Sequence, residues 1–316
     1  MDAYSCYRLI IQLKSPFGTP WQADTIMGHL AWHVAYQEGE EGVKSFLTPF
    51  LEGKPPFVLS DGFPSGLLPR PFGQKHKIGV KDLDSYTSEK IRRKTEFLNP
   101  SDFQALRLGE TVEVGPISSP WIDIETLHAA ISRQTGTTGE GGNLFAAESW
   151  VLRQNLWEEN RALLSIYLYC EDGWIERIER MFTDLSSVGF GKDKSVGLGH
   201  FKFLRKEKWD GFSVFQGANG FISLSTSVPG VNDPTEGRWA INIKYGKLGE
   251  NAGNGNPFKK PLLQIRPGST FYTGDEPKPF YGRVVGGIAS GFPEAVQICY
   301  CLAVPCRLEI PAQAIS

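Results

Sequence analysis

The sequence predicts an α+β protein whose first 205 residues follow the ferredoxin-like order βαββαβ and whose remainder is rich in strands. Three observations carry this prediction. Two segments have apolar residues at helical spacing, several short runs alternate apolar and polar residues, and 35 glycines with 21 prolines in 316 residues favour turns over a helical bundle. The length allows one large or two ordinary domains.

A strand and a helix open the chain. The run "YRLIIQLK" at 7–14 is short and typical of a strand, and the break "SPFGTP" ends it. Asp24 fits the N-cap position of the following helix. Ile26, Leu30 and Val34 recur at helical spacing and form its apolar stripe.

Three further segments precede the middle of the chain. Residues 42–51 repeat the helical pattern, and "PPFVLSDGFPSGLLP" at 55–69 indicates a short strand that enters a hairpin. Residues 70–110 are polar and locally basic, which is typical of an insertion that projects from a core, with either a solvated or a phosphate-contacting face. Its cations are Lys75, Lys77, Lys81, Lys90, Arg92, Arg93 and Lys94.

The pattern βαββαβ is completed by two strands, a helix and a strand. Residues 144–153 and 162–172 alternate as strands, and "GWIERIERMFTDL" at 173–185 is a strongly amphipathic helix. A glycine-rich loop at 189–199 follows the helix, and "FKFLRKE" from residue 201 leaves the loop as a strand.

The remainder of the chain, 206–316, shows no strong amphipathic helix, so we predict a β-rich second domain that is a degenerate copy of the first. Short runs separated by glycine and proline supply its strands. They are "GFISLSTSV", "RWAINIKYG", "LLQIRPGSTFY", "FYGRVVGGIA" and "VQICYCLAVP".

Composition limits the class of function. The formal net charge is −2, so a nucleic acid would have to be held by a local patch or within a larger assembly. Five cysteines without disulfide-like spacing, with Cys299, Cys301 and Cys306 close together, are interpreted as core residues of a reduced, cytoplasmic protein. We predict no metal, no cofactor, no signal peptide and no membrane span.

The stretch GFGKDKSVGLG at 189–199 is the strongest candidate for a binding loop. A Walker loop is excluded because Asp193 follows Lys192 and the glycine spacing differs. A dinucleotide fingerprint is excluded because the stretch follows a helix and opens a strand. What remains is either a plain turn or a loop whose N–H groups approach a phosphodiester chain, with Lys192 and Lys194 beside it.

A second loop and two histidines are the other candidates for a functional site. In "ISRQTGTTGEGGN" at 131–143, Arg133, Gln134 and Thr135 are groups that contact sugar and phosphate, although a surface loop explains them equally well. His29 and His33 lie four residues apart, but "HLAWH" lacks the glutamate of H-E-x-x-H. We interpret both histidines as packed or rim residues and predict no catalytic site.

Five motifs in order resemble the fourth subunit of the Csm effector complex of type III-A CRISPR systems, a protein of the RAMP superfamily that caps the 5′ end of the crRNA. The resemblance spans almost the whole chain, and the order of the motifs makes it more specific than any one of them. The motifs are "SPFGTPWQADTIMGHLAW" (15–32), "PPFVLSDGFPSGLLP" (55–69), "ISRQTGTTGEGGNLF" (131–145), "GFGKDKSVGLGHF" (189–201) and "FKKPLLQIRPGSTF" (258–271).

The resemblance implies two ferredoxin-like (RRM-like) RAMP domains, divided here at residues 205 and 206, with the insertion at 70–110 as a thumb-like hairpin. It also implies a non-catalytic role in a ribonucleoprotein. The chain would hold the repeat-derived 5′ handle of the crRNA and dock the large polymerase–nuclease subunit beside an adjacent backbone RAMP subunit.

The resemblance places the RNA contacts on three glycine-bearing or polar loops and on the segment after the first strand. The glycines of "GRVVGGIASG" at 282–291 resemble the loop of the second domain. The predicted RNA-binding residues are Ser15, Phe17, Arg133, Gln134, Thr135, Gly189, Gly191, Lys192, Lys194, Ser195, Gly197, Gly199, Gly286 and Gly287.

Two alternatives stay open from the sequence. One is a RAMP endoribonuclease that cuts the CRISPR repeat with His29 or His33 as general base. The other is a protein scaffold without RNA contact.

Overall fold

The computed structural model describes residues 4–73, 94–112, 115, 117, 119–129, 131, 135–137, 144–153, 161–249 and 256–309. The first part of the chain contains β1 (Ser5–Leu13), α1 (Ala23–Leu51), β2 (Phe57–Pro64), β3 (Leu68–Pro69), β4 (Phe97–Leu98), α2 (Pro100–Arg107), β5 (Trp121–Ala129), β6 (Leu144–Leu152), β7 (Leu163–Cys170), α3 (Ile175–Val188) and β8 (Phe201–Lys208). The second part contains β9 (Gly220–Ser223), β10 (Gly237–Arg238), β11 (Ile241–Lys244), β12 (Leu262–Ile265), β13 (Thr270–Tyr272), β14 (Phe280–Val285) and β15 (Gln297–Cys306).

Four strands of the first part form an antiparallel sheet in the order β2-β7-β1-β8. With α1 between β1 and β2 and α3 between β7 and β8, this is the predicted ferredoxin-like order βαββαβ. The α+β fold class is confirmed, and the glycine-rich loop connects the last helix to the last strand as expected.

One strand of the core sheet was assigned wrongly from the sequence. The second core strand is β2, whereas residues 144–153 form β6, which pairs with β5 in a separate two-stranded hairpin. Alternation marks a half-buried strand but does not specify its partner, so a solvent-facing hairpin and a sheet strand look alike in sequence.

The helices follow the predicted stripes, but the N-cap of α1 is Gln22 and not Asp24, which lies in the first turn of the helix. Residues 42–51 are helical as predicted: a break at Gly39, where φ is 71° and ψ is −164°, divides α1 into two helical segments, and these residues belong to the second. The stripe of Ile26, Leu30 and Val34 is buried, and in α3 the buried residues include Ile178 and Phe182.

The region predicted as an insertion divides into two parts. Its basic run from Lys75 to Arg93 lies outside the described residues. The following part returns to the core, because Phe103 and Leu106 of α2 are fully buried and Arg107 donates to the carbonyl oxygen of Pro305 at 3.0 Å.

The second part of the chain forms a five-stranded sheet in the order β10-β13-β9-β15-β14, beside a two-stranded ribbon of β11 and β12. Residues 206–249 and 256–309 contain no α-helix. Side chains on one face of β15 pack into a large hydrophobic core together with α1 and the first sheet. Those on the other face pack into a small hydrophobic cluster with Phe221 and Phe271. In the described part of the chain, no helix has the length and apolarity needed to cross a membrane.

Candidate nucleic-acid interface

The glycine loop at 189–199 has a backbone that only glycine can follow at its most crowded point. Gly199 has φ of 68°, and a Cβ atom there would lie 1.9 Å from the carbonyl oxygen of Phe190. The Phe190 ring is buried and stacks on Trp21, with ring centroids 3.8 Å apart. The close approach of Gly199 to the Phe190 carbonyl oxygen and the stacking of Phe190 on Trp21 therefore fix the two ends of the loop together.

The segment that follows β1 anchors this loop. The Gly199 N–H donates to the carbonyl oxygen of Pro16 at 2.7 Å, and the His200 N–H donates to Ser15 Oγ at 2.9 Å. The Lys192 N–H donates to Thr19 Oγ1 at 2.9 Å. Two predicted motifs that lie far apart in sequence, 15–32 and 189–201, therefore meet at one surface.

Most backbone N–H groups of the loop are occupied within the protein. Those of residues 189–192 and 196–199 all donate to groups of the chain itself. The expectation that these amides would face a phosphodiester chain is therefore corrected: the glycines serve the packing of the loop. The part that can meet a ligand is the exposed turn around Asp193 and Ser195.

Cationic side chains border the exposed turn. Lys192 is exposed, and its side chain crosses Gly18, where a Cβ atom would lie only 2.6 Å from the Lys192 Cε. Lys14 and His200 are also exposed and adjacent, because the Lys14 N–H donates to the His200 carbonyl oxygen at 2.8 Å. Lys194 is half-buried in the short 3₁₀ turn Lys194–Val196.

Phe17 connects this surface to the β5–β6 hairpin. Its backbone exchanges hydrogen bonds with Trp150 at 2.9 and 3.0 Å, and its ring packs edge-on against Trp121 with centroids 5.6 Å apart. The side chain is only 4% exposed. In this structure the Phe17 ring is a packing group, and base stacking on it would require the hairpin to move.

The connection between β5 and β6 carries the polar loop predicted from the sequence. Thr135 is exposed at this end of the hairpin, and its Oγ1 lies 3.1 Å from Thr137 Oγ1. Arg133 and Gln134 lie outside the described residues. On the strands, His128 and Phe145 face each other and their rings stack with centroids 5.5 Å apart.

Both helix histidines have partners at the nitrogen that a general base would use. His29 Nε2 accepts the Gly191 N–H at 3.1 Å, and its ring lies 4.7 Å from that of Phe190. His33 Nε2 lies 3.3 Å from Asp184 Oδ2 on α3. The geometry makes His29 a support of the glycine loop.

The glycines predicted in the second part of the chain lie in different surroundings. Gly286 and Gly287 are exposed after β14, and Gly286 lines an open cleft of about 550 Å³ with Glu52 and Gly53 beyond the end of α1. The glycine loop instead contacts the beginning of α1. The structure therefore does not bring these two glycine motifs together.

The cysteines do not form a reactive or metal-binding group. All five are free; Cys299, Cys301 and Cys306 are buried, and burial raises the pKa of the Cys301 thiol to about 12. Among the described residues, no three His, Cys, Asp or Glu side chains are grouped so that they could hold a metal ion.

Three residues at this interface were not predicted as site residues: Lys14, Thr19 and His200. Thr19 lies within the quoted motif "SPFGTP", and Lys14 and His200 flank the two segments that meet. Their position next to predicted residues in the sequence could have indicated them. Their contacts, however, join segments more than 170 residues apart, and the sequence alone does not show such pairing.

Comparison with solved structures gives the fold of the whole chain. One match is a crystal structure of a Csm1–Csm4 cassette in complex with cA4, with a TM-score of 0.62 and 18% identity over 96% of this chain and 99% of the other. Another is a Csm3–Csm4 subcomplex of the type III-A CRISPR–Cas interference complex, with a TM-score of 0.60 and 14% identity over 95% of this chain and all of the other.

The chain has the fold of the Csm4 component of these structures. Csm4 is the component that both of these structures share, so the resemblance stated from the sequence motifs is confirmed at the level of the fold. The AMPPNP-bound Csm1–Csm4 cassette matches in the same way, with a TM-score of 0.58 and 20% identity over 96% of this chain. No family model matches the sequence, and no curated protein sequence does.

Proposed function

We propose that the chain is a non-catalytic subunit of a type III CRISPR effector complex that holds the repeat-derived 5′ handle of the crRNA. It docks the large polymerase–nuclease subunit beside an adjacent backbone RAMP subunit, and it acts in the cytoplasm. The Csm4-like fold supports the assignment to such a complex. The observation that carries the RNA contact is the joint surface formed by residues 14–19 and the glycine loop.

The chemistry of this surface suits single-stranded RNA. Lys14 and Lys192 offer positive charge to phosphates, and the exposed turn at Asp193 and Ser195 lies beside them. The β5–β6 hairpin is joined to the same segment by the bridge between Phe17 and Trp150, and it carries Thr135 and Thr137 at its far end. Phosphate contacts position a strand, while bases of unpaired RNA can be stacked or read on their edges. A local patch of this kind is compatible with a net charge of −2.

The placement of the histidines supports a non-catalytic role. Metal-independent cleavage of RNA needs a general base within hydrogen-bond reach of the proton it abstracts. The Nε2 lone pair of His29 accepts the Gly191 N–H, and His33 Nε2 faces Asp184. Repeat RNA incubated with the protein without metal should remain intact. Discrete cleavage that disappears in His29→Ala or His33→Ala would establish the endoribonuclease alternative instead.

The RNA contact is tested by purifying the tagged protein from cells that express the complex and sequencing the RNA that accompanies it. We expect a population with one shared, repeat-derived 5′ end. In the double variant Lys192→Ala, Lys194→Ala, retention should fall and its dependence on salt should weaken by about one unit of slope per lost phosphate contact.

The matched control is Lys44→Ala, Lys54→Ala, which removes two exposed lysines near the other end of α1. This control should retain RNA as the native chain does. If both double variants retain RNA equally, the glycine-loop surface does not hold it, and a scaffold without RNA contact explains the chain better.

A further inference from the structure

The ribbon of β11 and β12 exposes an apolar face that the proposed RNA contact does not use. Ile241 and Ile243 are 53% and 49% exposed, and Leu263, which is 59% exposed, is the cross-strand partner of Ile243. Directly opposed residues share one face of a sheet, so Ile243 and Leu263 stand side by side, and Ile241 lies on the same face. Trp239 and Tyr245 flank the strand and are more than half exposed. These five residues are called the apolar ribbon face.

The opposite face of the ribbon fixes it to the body of the protein. Lys244 Nζ lies 2.6 Å from Asp24 Oδ1, and Gln264 Nε2 donates to Asp24 Oδ2 at 2.7 Å. Asp24 belongs to the first turn of α1 and is buried. Because Lys244 alternates with Ile243 along the strand, its attachment to α1 turns the apolar ribbon face outward. The face is thus a preformed surface on a fixed element.

The exposed cations beside this face include Arg238, Lys247 and Lys260, whereas Lys244 is paired with Asp24 and Arg266 with Glu96. Residues 237–249 and 256–266, which form the ribbon and its flanks, contain no aspartate or glutamate. Lys247 lies over the ring of Phe258, with its Nζ 5.0 Å from the centroid. The basic residues of these segments are Arg238, Lys244, Lys247, Lys259, Lys260 and Arg266.

The size of the face matches the centre of a protein interface. Five large side chains that are about half exposed offer on the order of 500 Å² of accessible surface, at roughly 100 Å² each. The largest exposed apolar patch of a typical monomer is about 300–600 Å² and is often functional. A standard interface uses about 800 Å² per partner, including a polar rim.

The apolar centre and the basic rim together indicate which kind of molecule binds this face. A second copy would oppose two basic rims, which repel. RNA would match the rim and could stack on Trp239 and Tyr245, but the centre of the face consists of the aliphatic side chains Ile241, Ile243 and Leu263, which offer neither aromatic stacking nor hydrogen bonds to bases. A protein with an apolar centre and an acidic rim matches both the centre and the rim.

We propose that the apolar ribbon face is the docking site for a neighbouring protein subunit whose contact surface has an apolar centre and an acidic rim. The identification of that neighbour as a subunit of the effector complex rests on the function proposed above. The site differs from the RNA surface because it binds by burying apolar area instead of by neutralising phosphates.

The test uses Ile243→Glu, which places a charge at the centre of the face. Its matched control is Val231→Glu, at a side chain that is 95% exposed outside the ribbon. Each tagged chain is coexpressed with the large subunit, the backbone RAMP subunit and a CRISPR array, and the complex is purified with and without ribonuclease treatment. We expect Ile243→Glu to lose at least about tenfold of one protein subunit under both conditions, as loss of a central interface anchor does.

A second variant tests the rim. Lys247→Glu, Lys260→Glu should weaken the retention of the same subunit, whereas stronger retention would contradict an acidic partner. The isolated Ile243→Glu variant should have the melting temperature of the native chain, since Ile243 is half exposed. It should also bind a handle RNA oligonucleotide with the affinity of the native chain.

The remaining outcomes overturn the inference in distinguishable ways. If Ile243→Glu keeps every subunit, the face is not a docking site, and the proposed function is unaffected. If it loses handle RNA but keeps the subunits, the face belongs to RNA. If it abolishes a dimer of the native chain, the occupant is a second copy. If the native chain joins neither subunit nor crRNA, the proposed function and this inference both fail.

Discussion

At the scale of the residue, Asp61 ties the two halves of the chain together. Its carboxylate accepts the Ala23 N–H at 2.8 Å, the Thr226 N–H at 2.8 Å and the Thr226 hydroxyl at 2.6 Å. Gln22 at the N-cap of α1 makes no side-chain capping bond, so Asp61 on β2 satisfies that helix end from another element. One buried carboxyl thereby binds both the start of α1 and the segment that follows β9.

This placement predicts a specific dependence of stability on pH. Burial raises the pKa of Asp61 from 3.8 to about 6, although its hydrogen bonds act in the opposite direction. The folded state therefore binds the proton more tightly than the unfolded state. The stabilisation from this carboxyl is fully present below the unfolded pKa and is lost as pH rises through the folded pKa, by about 3 kcal/mol.

Asp61→Asn removes the titration while keeping an oxygen acceptor for the two N–H groups. We expect the free energy of unfolding of Asp61→Asn, relative to the native chain, to rise by about 2 kcal/mol between pH 4 and pH 7. Urea unfolding at both pH values measures this difference in free energy. Asp61→Ala, which also removes the oxygen that accepts the Ala23 and Thr226 N–H groups, should be less stable than the native chain at both pH values. A relative stability of Asp61→Asn that falls with rising pH would contradict the assignment.

At the scale of the element, the β5–β6 hairpin depends on a small base. Much of its length is exposed, and its base is attached by the bridge between Phe17 and Trp150, by the edge-on contact of Phe17 with Trp121 and by the buried side chain of Leu152. Phe17→Ala should destabilise this attachment by about 3–5 kcal/mol, because a buried ring is replaced by a cavity. Hydrogen exchange should accelerate at Trp150 while the amides of β7 stay protected.

Phe145→Ala is the matched control for this variant, since it removes a phenylalanine that is exposed on the same hairpin. It should leave the exchange at Trp150 unchanged, and Phe17→Leu should restore most of the protection. Equal acceleration in Phe17→Ala and Phe145→Ala would show that Phe17 does not hold the hairpin.

Local patterns predicted the elements better than their pairing. The apolar stripes of α1 and α3, the element order βαββαβ of the first half and the position of the glycine loop all follow from periodicity and turn residues. Periodicity carries no information on partners, so the hairpin pairing of β6 was missed. The contacts of Thr19 and His29 with the loop were missed for the same reason: they join residues more than 160 positions apart.

At the scale of the whole molecule, one core serves both sheets. The cluster that contains Leu9 and Ile166 of the first sheet also contains Ile222 and Leu302 of the second. Tyr300 on β15 donates its hydroxyl hydrogen to the Phe50 carbonyl oxygen near the end of α1, at 2.6 Å. The boundary at residues 205 and 206 remains a proposal about chain organisation, and we expect the two sides of it to unfold together.

Leu302→Ala tests this cooperativity. Leu302 is fully buried in the shared core, so the substitution should lower the free energy of unfolding by about 2–5 kcal/mol. Calorimetry should show a single transition in the native chain and in the variant, at a lower temperature in the variant. Native-state hydrogen exchange should lose equal protection in β1 and in β9, because global opening exposes both. Leu144→Ala, at an exposed leucine of the hairpin, should change neither the unfolding temperature nor the exchange protection of β1 and β9. If protection fell in β9 and persisted in β1, the two sheets would be independent folding units despite their common core.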